Sequence, residues 1–340
     1  MTGLHATRGA NFWARRPVTR MDMRVGAFDE IASDEVPGFT EALLGAMPGL
    51  VEHRCSIGER GGFVTRLRRG TYAPHIIEHV ALELQTMIGH DVGYGRTRGG
   101  DEEGEYTLVF EHVHEQVGLR AAAMALEVVQ RAFAGSLGPI EGSLHELEAL
   151  ADTPDSPPIA QRVTCGITGG SGRGEAQAAL LARLPVRRDG EPPLVIDVAP
   201  SYLLRAGLPY ARSEIAMILD TQLEDVPPRY QDEERAARLV AVLADGVRRG
   251  GVVICPAKAW EVQDLVRDAD CRIAIFAGTE RVTRRDEKHA RSVAMARKGR
   301  ILIDRCGVTT DVGPLDPVLP VGPQVAAALA ALTMTEDCDA

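Results

Sequence analysis

Apolar residues recur at helical spacing in the first half of the chain. From Ile76 to Met87 they follow each other three or four positions apart, which predicts a helix over 75–87. Pro74 suits the first turn of this helix, because the first N–H groups of a helix have no partner within it. The same pattern predicts two further helices and a strand, at 39–47, 115–133 and 106–113. The first half is therefore expected to be an α+β domain.

Short apolar runs alternate with helical stretches in the second half. The strands are predicted at 162–167, 194–198, 215–219, 252–255, 272–276 and 301–303. Two helices are predicted between them, one ending at 184 and one over 232–247. This order is typical of a Rossmann-like, mostly parallel and doubly wound sheet. The fold class predicted for the whole chain is α/β.

A proline-rich stretch from Ala151 to Pro158 separates the two halves and has the composition of a linker. The prediction is a first domain over 1–140, a linker over 141–160, a second domain over 161–334 and an acidic tail over 335–340. This division leaves each domain long enough to form its own hydrophobic core.

Charge and cysteine content narrow the function classes. With 48 acidic and 38 basic side chains the net charge is −10, which disfavours nucleic acid or an anionic membrane as a partner. No apolar run approaches the roughly 20 residues that span a bilayer. The 6 cysteines are scattered without a C-x-x-C pair, as is usual for reduced thiols. A cytoplasmic location is expected.

The motif with the clearest chemistry is His75-Ile76-Ile77-Glu78-His79, an H-x-x-E-H sequence within the strongest predicted helix. Residues four apart project from one face of a helix, so His75 and His79 can share one metal ion. Glu78 lies near the same face and could act as a catalytic base towards a metal-bound water. The alternative is that three polar residues simply occupy a helix surface.

A catalytic zinc site needs a third protein ligand. Glu111 and Glu115 are the candidates, because they flank the end of a predicted strand and the start of a helix, and His112 and His114 between them have suitable chemistry. Glu115 could instead favour the helix N-terminus through the helix dipole. Glu83 lies one turn beyond His79, which suits a partner that orients His79 better than a metal ligand.

Arginines are frequent in this half of an otherwise acidic chain, at positions 15, 16, 66, 68, 69, 96 and 98. Because guanidinium groups bind carboxylates in two-pronged fashion, Arg96 and Arg98 are candidate catalytic residues that orient substrate carboxylates or stabilise an oxyanion. Solvated surface arginines are the alternative for each of them.

A glycine-rich sequence, Gly166 to Gly174, follows a predicted strand and precedes a helix, which is the setting of a phosphate-binding loop. Its chemistry is incomplete, because Arg173-Gly174-Glu175 stands where such a loop carries lysine and a hydroxyl residue. A structural glycine turn is therefore favoured over a nucleotide site, and ATP is not expected as a cofactor.

Seven blocks stand in order along the first half of the chain: Arg8 to Trp13, Pro37 to Phe39, Glu52 to Ser56, Gly61 to Phe63, Gly70 to Tyr72, His75 to Gln85 and Gly95 to Arg98. Together they resemble the N-terminal domain of cyanophycin synthetases. A weaker resemblance, from Val163 to Leu319, is to the Mur-ligase-like part of the same enzymes, with Gly166 to Gly169 at the start of the phosphate loop.

The resemblance implies both losses and a retained site. Synthetases of this family carry an ATP-grasp domain between the two similar regions, whereas this chain has only the short linker, so addition of aspartate is expected to be absent. The altered glycine loop implies that ATP-dependent addition of arginine is lost as well. The N-terminal domain of some members is a hydrolytic site, and its H-x-x-E-H maps onto His75, Glu78 and His79. The family pattern also has acidic residues at Glu111 and Glu115.

The resulting expectation is a zinc-dependent peptidase that cleaves cyanophycin, a polyaspartate backbone bearing arginine side groups, or a related peptide. Zn²⁺ would be held by His75 and His79 with Glu111 or Glu115, and Glu78 would be the general base. The alternative is a non-catalytic pseudo-synthetase that binds the polymer or a synthetase partner. A homo-oligomer is expected only by analogy with the family.

Overall fold

In the computed structural model of the protein, the chain forms two compact units. The first unit comprises Met1–Arg8 and Trp13–Pro157, and the second comprises Gly9–Phe12 and Pro158–Ala340. The structure describes residues 1–184, 192–267, 269–279, 282, 290 and 292–336. Each unit has its own sheet and its own hydrophobic core.

The first unit contains four strands and five helices among its described residues. The strands are β1 (Gly3–Ala6), β2 (Val18–Arg24), β3 (Gly95–Gly99) and β4 (Glu105–Glu111). The helices are α1 (Phe39–Ala46), α2 (Gly62–Arg69), α3 (Ala73–Met87), α4 (Glu115–Phe133) and α5 (Glu141–Ala151).

The sheet of the first unit is antiparallel, with the strand order β1-β2-β4-β3. Helices α3 and α4 pack against each other, and α3 also contacts β4. Ile76, Val80 and Leu84 of α3 are fully buried, as the helical spacing predicts. The buried apolar stripe fixes the rotation of α3, and thereby sets the direction in which its polar residues project.

The second unit is built on eight strands and five helices in its described part. The strands are β5 (Ala160–Thr168), β6 (Val195–Asp197), β7 (Tyr210–Ile218), β8 (Val247–Pro256), β9 (Arg272–Ala277), β10 (Ser292–Arg297), β11 (Arg300–Arg305) and β12 (Val308–Pro314). The helices are α6 (Arg173–Leu181), α7 (Pro200–Ala206), α8 (Glu233–Asp245), α9 (Trp260–Val266) and α10 (Val321–Glu336).

The strand order in the second unit is β12-β11-β10-β9-β8-β7-β5-β6. The strands from β6 to β10 pair in parallel, and β11 and β12 add an antiparallel extension at one edge. Helices α6 and α10 contribute to the core cluster on the sheet, while α8 packs with α7 and α9. The predicted α/β fold class, with a mostly parallel sheet, is confirmed.

A four-residue segment near the start of the sequence belongs to the second unit. The amide of Leu208 donates to the carbonyl of Ala10 at 2.8 Å, and the ring of Phe12 meets that of Tyr230 edge-on at 5.7 Å. A Cβ atom at Gly9 would lie 3.0 Å from the carbonyl oxygen of Leu208. Segment 9–12 is thus an integral part of a unit whose other residues begin at Pro158.

The boundary region differs from the sequence expectation. Residues 141–151, expected to belong to the linker, form helix α5, with Leu147 fully buried in the core of the first unit. Of the expected tail, residues 337–340 lie outside the described residues. Within the described part of the chain, no helix combines the length and the apolar character that crossing a membrane requires.

Candidate functional site

A groove of about 910 Å³ runs beside α3 in the first unit. His75, Glu78 and His79 of α3 line one side of it, and residues 92–97, leading into β3, line another. The three α3 residues come together because helical spacing places positions 75, 78 and 79 on neighbouring parts of one surface. The ring centroids of His75 and His79 are 4.9 Å apart.

His75 has side-chain neighbours at both ring nitrogens. Its Nδ1 lies 2.8 Å from the hydroxyl of Thr71, and its Nε2 lies 3.2 Å from the Sγ of Cys55. Cys55 has a φ of 53°, in the left-handed region, within a short 3₁₀ turn over residues 55–57. Such a conformation is costly for a residue with a side chain and is typical of functional positions.

His79 is held by a chain of polar contacts and by a stacked ring. Its Nδ1 lies 2.9 Å from Nδ1 of His53, and Nε2 of His53 lies 3.0 Å from Glu83. Because a carboxylate only accepts, His53 donates from Nε2, and a neutral His53 then accepts at Nδ1 from the N–H of His79. The buried ring of Phe63 stacks on His79 with centroids 3.9 Å apart.

Glu78 lies deeper than the histidines and touches β3. Its carboxylate accepts a short hydrogen bond of 2.5 Å from the hydroxyl of Thr97. At Gly95 a Cβ atom would lie only 2.5 Å from Oε1 of Glu78, so glycine is needed there for close approach. Burial raises the pKa of Glu78 to about 7, with the Thr97 hydrogen bond acting in the opposite direction.

Burial shifts the two histidines towards the neutral form. It lowers the pKa of His75 to about 4, with a further contribution from the positive charge of Arg66. It lowers the pKa of His79 to about 2, with His75 and His53 contributing in the same direction. Neutral imidazole is the form that binds a metal ion, so both residues are ready ligands near neutral pH.

A third donor joins the two histidines. One ligand atom from each of Cys55, His75 and His79 lies within 4.8 Å of the other two. Nitrogen and sulfur donors in this number fit a zinc ion, for which Cys and His are the usual protein ligands. No sequence motif indicated Cys55 as a ligand, although the block Glu52 to Ser56 contributed to the resemblance.

The structure does not bring Glu111 or Glu115 to these histidines. Glu111 accepts from the backbone amides of Gly93 and Tyr94 at 3.1 Å each. Glu115 is buried and forms two hydrogen bonds with the guanidinium of Arg8, at 2.6 and 2.9 Å. Both carboxylates therefore serve local structure, and Glu83 contacts His79 only through His53.

His112 and His114 also serve local structure. Nδ1 of His112 lies 3.0 Å from the hydroxyl of Thr19, and burial lowers the pKa of this histidine to about 4. Nε2 of His114 donates to the carbonyl of Thr153 at 2.7 Å. These contacts lie within the first unit and outside the groove lining.

Three arginines line the groove: Arg54, Arg66 and Arg96. The described part of the chain supplies no ion pair to any of them. Arg98 follows Arg96 by two positions on β3, and it is not among the lining residues. Of the two arginines predicted as catalytic, the structure thus places only Arg96 at the groove.

In the glycine loop of the second unit, residues 169–172, a side chain of the same protein occupies the position of a ligand. The carboxylate of Asp220 accepts from the amides of Gly170 at 2.7 Å and Ser171 at 3.2 Å, and from the Ser171 hydroxyl at 3.1 Å. These are the loop groups that would bind a phosphate oxygen. An aspartate side chain therefore takes the place of an anionic ligand.

Two further contacts close the loop. Arg173, which stands where a phosphate-binding lysine is expected, pairs with Asp197 at 2.8 Å and donates to the carbonyl of Gly169. A Cβ atom at Gly172, whose φ is 69°, would lie 2.5 Å from Cγ of Pro323 in α10. The loop is consequently packed from both sides by residues of its own unit.

Comparison with known proteins identifies the first unit. Residues 20–134 match the family model described as "Cyanophycin synthase-like N-terminal domain". The chain is 47% identical over 123 residues to a cyanophycin synthetase of Synechocystis sp., covering 36% of this chain and 14% of that protein. It is 37% identical over 182 residues to a cyanophycin synthetase of Crocosphaera subtropica, covering 53% of this chain and 21% of that protein.

Two solved structures overlap with about half of the chain. One is a UDP-N-acetylmuramoylalanyl-D-glutamyl-2,6-diaminopimelate–D-alanyl-D-alanyl ligase of Acinetobacter baumannii, with a TM-score of 0.36 and 14% identity over 52% of this chain and 43% of that chain. The other is a UDP-N-acetylmuramate:L-alanyl-γ-D-glutamyl-meso-diaminopimelate ligase of Neisseria meningitides, with the same TM-score and identity over 52% of this chain and 62% of that chain.

The prediction of a zinc-dependent peptidase is wrong. The relatives reported above are named as cyanophycin synthetases and not as peptidases. The H-x-x-E-H spacing defines only where side chains leave the helix, and in the folded chain Cys55 and His53 approach the two histidines. Hydrolysis also requires an open metal position for water, and the H-x-x-E-H spacing does not determine how many ligands the metal has. The spacing alone therefore did not specify hydrolysis.

The chain spans about a fifth or less of the length of the curated relatives that it matches. The sequence resemblance is nevertheless confirmed over the region that carries the groove, since His75, Glu78, His79, Cys55 and Arg96 all lie between residues 20 and 134. Residues 20–134 are therefore similar to the N-terminal domain of cyanophycin synthetases.

Proposed function

We propose that the chain is a non-catalytic relative of cyanophycin synthetases that binds a carboxylate-rich polypeptide of the cyanophycin type in the α3 groove. The observation that carries the proposal is the set of lining arginines, Arg54, Arg66 and Arg96, without an ion pair among the described residues. A chain of net charge −10 that leaves three guanidinium groups unpaired at one groove is suited to an acidic ligand.

The groove has a volume of about 910 Å³, at the upper end of the range of about 300–1,000 Å³ for small-molecule pockets. A volume of this size admits a short segment of a peptide chain. Acidic side chains also line it, and Glu83 is engaged with His53 while Glu78 is engaged with Thr97. The third acidic lining residue, Glu52, forms an ion pair with Arg60. All three carboxylates thus have partners within the chain, whereas the three arginines have no ion pair among the described residues, which favours carboxylates over amines as the recognised groups.

The glycine loop is not part of the proposed binding site. Asp220 already accepts from the loop amides, and its negative charge would repel a phosphate group that approached the same atoms. We therefore propose that the second unit binds no ATP. The check is thermal unfolding with and without millimolar ATP, which is expected to give the same melting temperature.

A bound metal ion is part of the proposal. Cys55, His75 and His79 would hold Zn²⁺, which would cross-link the 3₁₀ turn at 55–57 to helix α3. A ligand that binds only the folded state stabilises it by about 4 kcal/mol when its free concentration is 1,000 times its Kd. We expect one zinc ion per chain and a large rise in melting temperature on addition of zinc to chelator-treated protein.

The matched control for zinc binding is a second partly buried cysteine. Cys55→Ser is expected to abolish stoichiometric zinc uptake, whereas Cys271→Ser, in the second unit, is expected to retain it. Equal zinc uptake by both variants would contradict the assignment of Cys55.

Free thiols at the described cysteines also support the proposal of a cytoplasmic location.

Polymer binding is tested by co-sedimentation with purified cyanophycin. A variant carrying Arg54→Gln, Arg66→Gln and Arg96→Gln is expected to bind about tenfold more weakly, because each exposed ion pair contributes up to about 1 kcal/mol. Arg131→Gln is the control, since Arg131 is exposed in the last turn of α4 and does not line the groove. Unchanged binding by the triple variant would refute the proposal, and capture of a synthetase in place of the polymer would identify the enzyme as the partner.

A further inference from the structure

Strand β3 is an edge of the sheet in the first unit, and its pairing with β4 shows which backbone groups are open. The amide of Glu111 donates to the carbonyl of Tyr94 at 2.9 Å, and the amide of Gly100 donates to that of Glu105 at 2.5 Å. Hydrogen-bonded pairs alternate along an antiparallel ladder, so the even-numbered residues between them also bond to β4. Gly95, Thr97 and Gly99 therefore direct their N–H and C=O groups away from the sheet.

The open edge of β3 borders the α3 groove. Residues 92–97 line the groove, and the Thr97 side chain bonds to Glu78 at its floor. Added Cβ atoms at Gly93 and Gly99 would meet nothing within 4 Å, so space is open at both ends of the strand. An extended chain lying against this edge would thus run along the groove.

Strand β3 is protected at its open edge by charge and short length alone. Exposed edges are normally blunted by short length, charged side chains, proline, a β-bulge or a covering element. The sequence Gly95-Arg96-Thr97-Arg98-Gly99 has no proline, its pairing with β4 shows no register shift, and its described partners place β4 on one side only. An edge with this geometry accepts a further strand through main-chain hydrogen bonds.

Charge indicates what kind of strand would bind. Side chains of an added strand alternate between the two faces of the sheet, as they do on β3. One of the two sets would face the groove, which Arg54, Arg66 and Arg96 line. A polypeptide that carries carboxylates on that set of side chains complements the groove in charge.

We propose that the acidic polypeptide binds as a fifth strand, in the order β1-β2-β4-β3-ligand, through the outward backbone groups of Gly95, Thr97 and Gly99. This inference rests on the proposed function and specifies how the groove recognises its ligand. Main-chain bonding fixes the direction and spacing of the polymer, and the arginines that line the groove select for its carboxylates.

The probe is a short α-linked L-aspartate peptide, with the D-aspartate peptide of equal length as its charge-matched control. Binding of the L-peptide is expected to slow amide hydrogen exchange at Gly95, Thr97 and Gly99 by about tenfold or more, because these amides gain partners. Exchange at Arg96 and Arg98, already bonded to β4, should change little. The D-peptide is expected to bind at least about tenfold more weakly, because its strand twist is of the opposite hand.

A pair of variants isolates one backbone donor. Gly99→Pro removes the outward N–H while leaving the β4 ladder intact, and Gly99→Ala keeps it in a space where a Cβ meets nothing. The expected result is weaker L-peptide binding by Gly99→Pro and unchanged binding by Gly99→Ala. L-peptide binding without exchange protection, or equal binding of both peptides, overturns strand addition and leaves the proposed function standing. Absence of any L-peptide binding overturns both.

Discussion

The α3 groove of the first unit and the glycine loop of the second unit place their polar groups in opposite ways. In the groove, the ring nitrogens, a thiol and three arginines surround space that the described chain does not fill. In the loop, the amides of Gly170 and Ser171 already have the Asp220 carboxylate as their acceptor. Two sequence motifs of similar strength thus differ in the folded chain. The polar groups of the groove are open to a ligand, whereas those of the loop are bonded to a side chain of the same protein.

The difference shows how a binding motif can persist after its ligand is lost. The glycine loop keeps its strand–turn–helix setting because β5 and α6 belong to the core of the second unit. Buried or half-buried amides need acceptors, and an aspartate supplies them without a nucleotide. The loop geometry therefore survives as structure, while its phosphate chemistry does not.

The largest expected effect concerns the wall of the groove. Phe63→Ala removes a fully buried ring that stacks on His79, and it should lower the free energy of unfolding by about 3–5 kcal/mol. Urea denaturation measures this loss, and Phe63→Leu is the control because it keeps most of the buried volume. A loss below about 1 kcal/mol in Phe63→Ala would show that the groove needs no rigid wall.

The next effect depends on pH. The pKa of Glu78 rises from 4.5 to about 7 on folding, so the folded state binds this proton more tightly than the unfolded state does. Wild-type stability should lose up to about 3 kcal/mol from this group as pH rises from 4.5 through 7. Glu78→Gln removes the loss, so its advantage over wild type should be near zero at pH 4 and greatest at pH 8.

Chelator-treated protein is the material for this comparison, because a metal ion beside Glu78 would add its own pH dependence. His75 and His79 contribute with the opposite sign, since their pKa values fall on folding and their stabilisation is lost as pH drops below 6.5. They are common to both proteins and cancel in the difference. A difference that does not vary with pH would contradict the raised pKa of Glu78.

A smaller effect is expected at the glycine loop. Asp220→Ala leaves two loop amides and the Ser171 hydroxyl without their acceptor, which should cost about 1–3 kcal/mol. Millimolar inorganic phosphate should recover part of the melting temperature of this variant and leave the wild type unchanged. Asp225→Ala is the control, since Asp225 is exposed and accepts from one backbone amide, that of Ser201. Phosphate stabilisation of the wild type would show that the loop is open.

The smallest effect is expected for a substitution at Arg173, in the same glycine loop. Arg173→Lys restores the residue type of a phosphate-binding loop but keeps Asp220 in place. The expected cost is below about 1 kcal/mol, because the lost bonds are partly exposed. Calorimetry is expected to detect no ATP binding. ATP binding by this variant would show that Asp220 does not prevent nucleotide binding at the loop.

The sequence predicts best the features that depend on local spacing. Helix α3 and the position of His75, Glu78 and His79 on one surface follow from apolar periodicity and from the i, i+4 rule. Cys55 was not predicted as a ligand, because it reaches His75 through a left-handed turn twenty residues earlier in the chain. The carboxylates of Glu111 and Glu115 looked suitable as donors, and only the tertiary contacts show that they face elsewhere.

Strands that carry polar residues were the hardest to predict. Strand β3 contains no apolar residue, so neither alternation nor a hydrophobic run marks it. Strand β2 includes Arg20 and Thr19 as buried residues, which removes the usual alternation of apolar and polar positions. Asp220 follows a predicted strand, but its contact with the glycine loop joins segments 50 residues apart.

The position of segment 9–12 has a consequence for biosynthesis. The surface that receives this segment, formed by Leu208 and Tyr230, is translated roughly 200 residues after it. At 5–20 residues per second, the segment waits on the order of 10 to 40 seconds for its partner. The first unit can complete its core during that interval. The second unit, in contrast, must bind segment 9–12, which was synthesised before the rest of the unit. Segment 9–12 should therefore dock only after the first unit has formed its core.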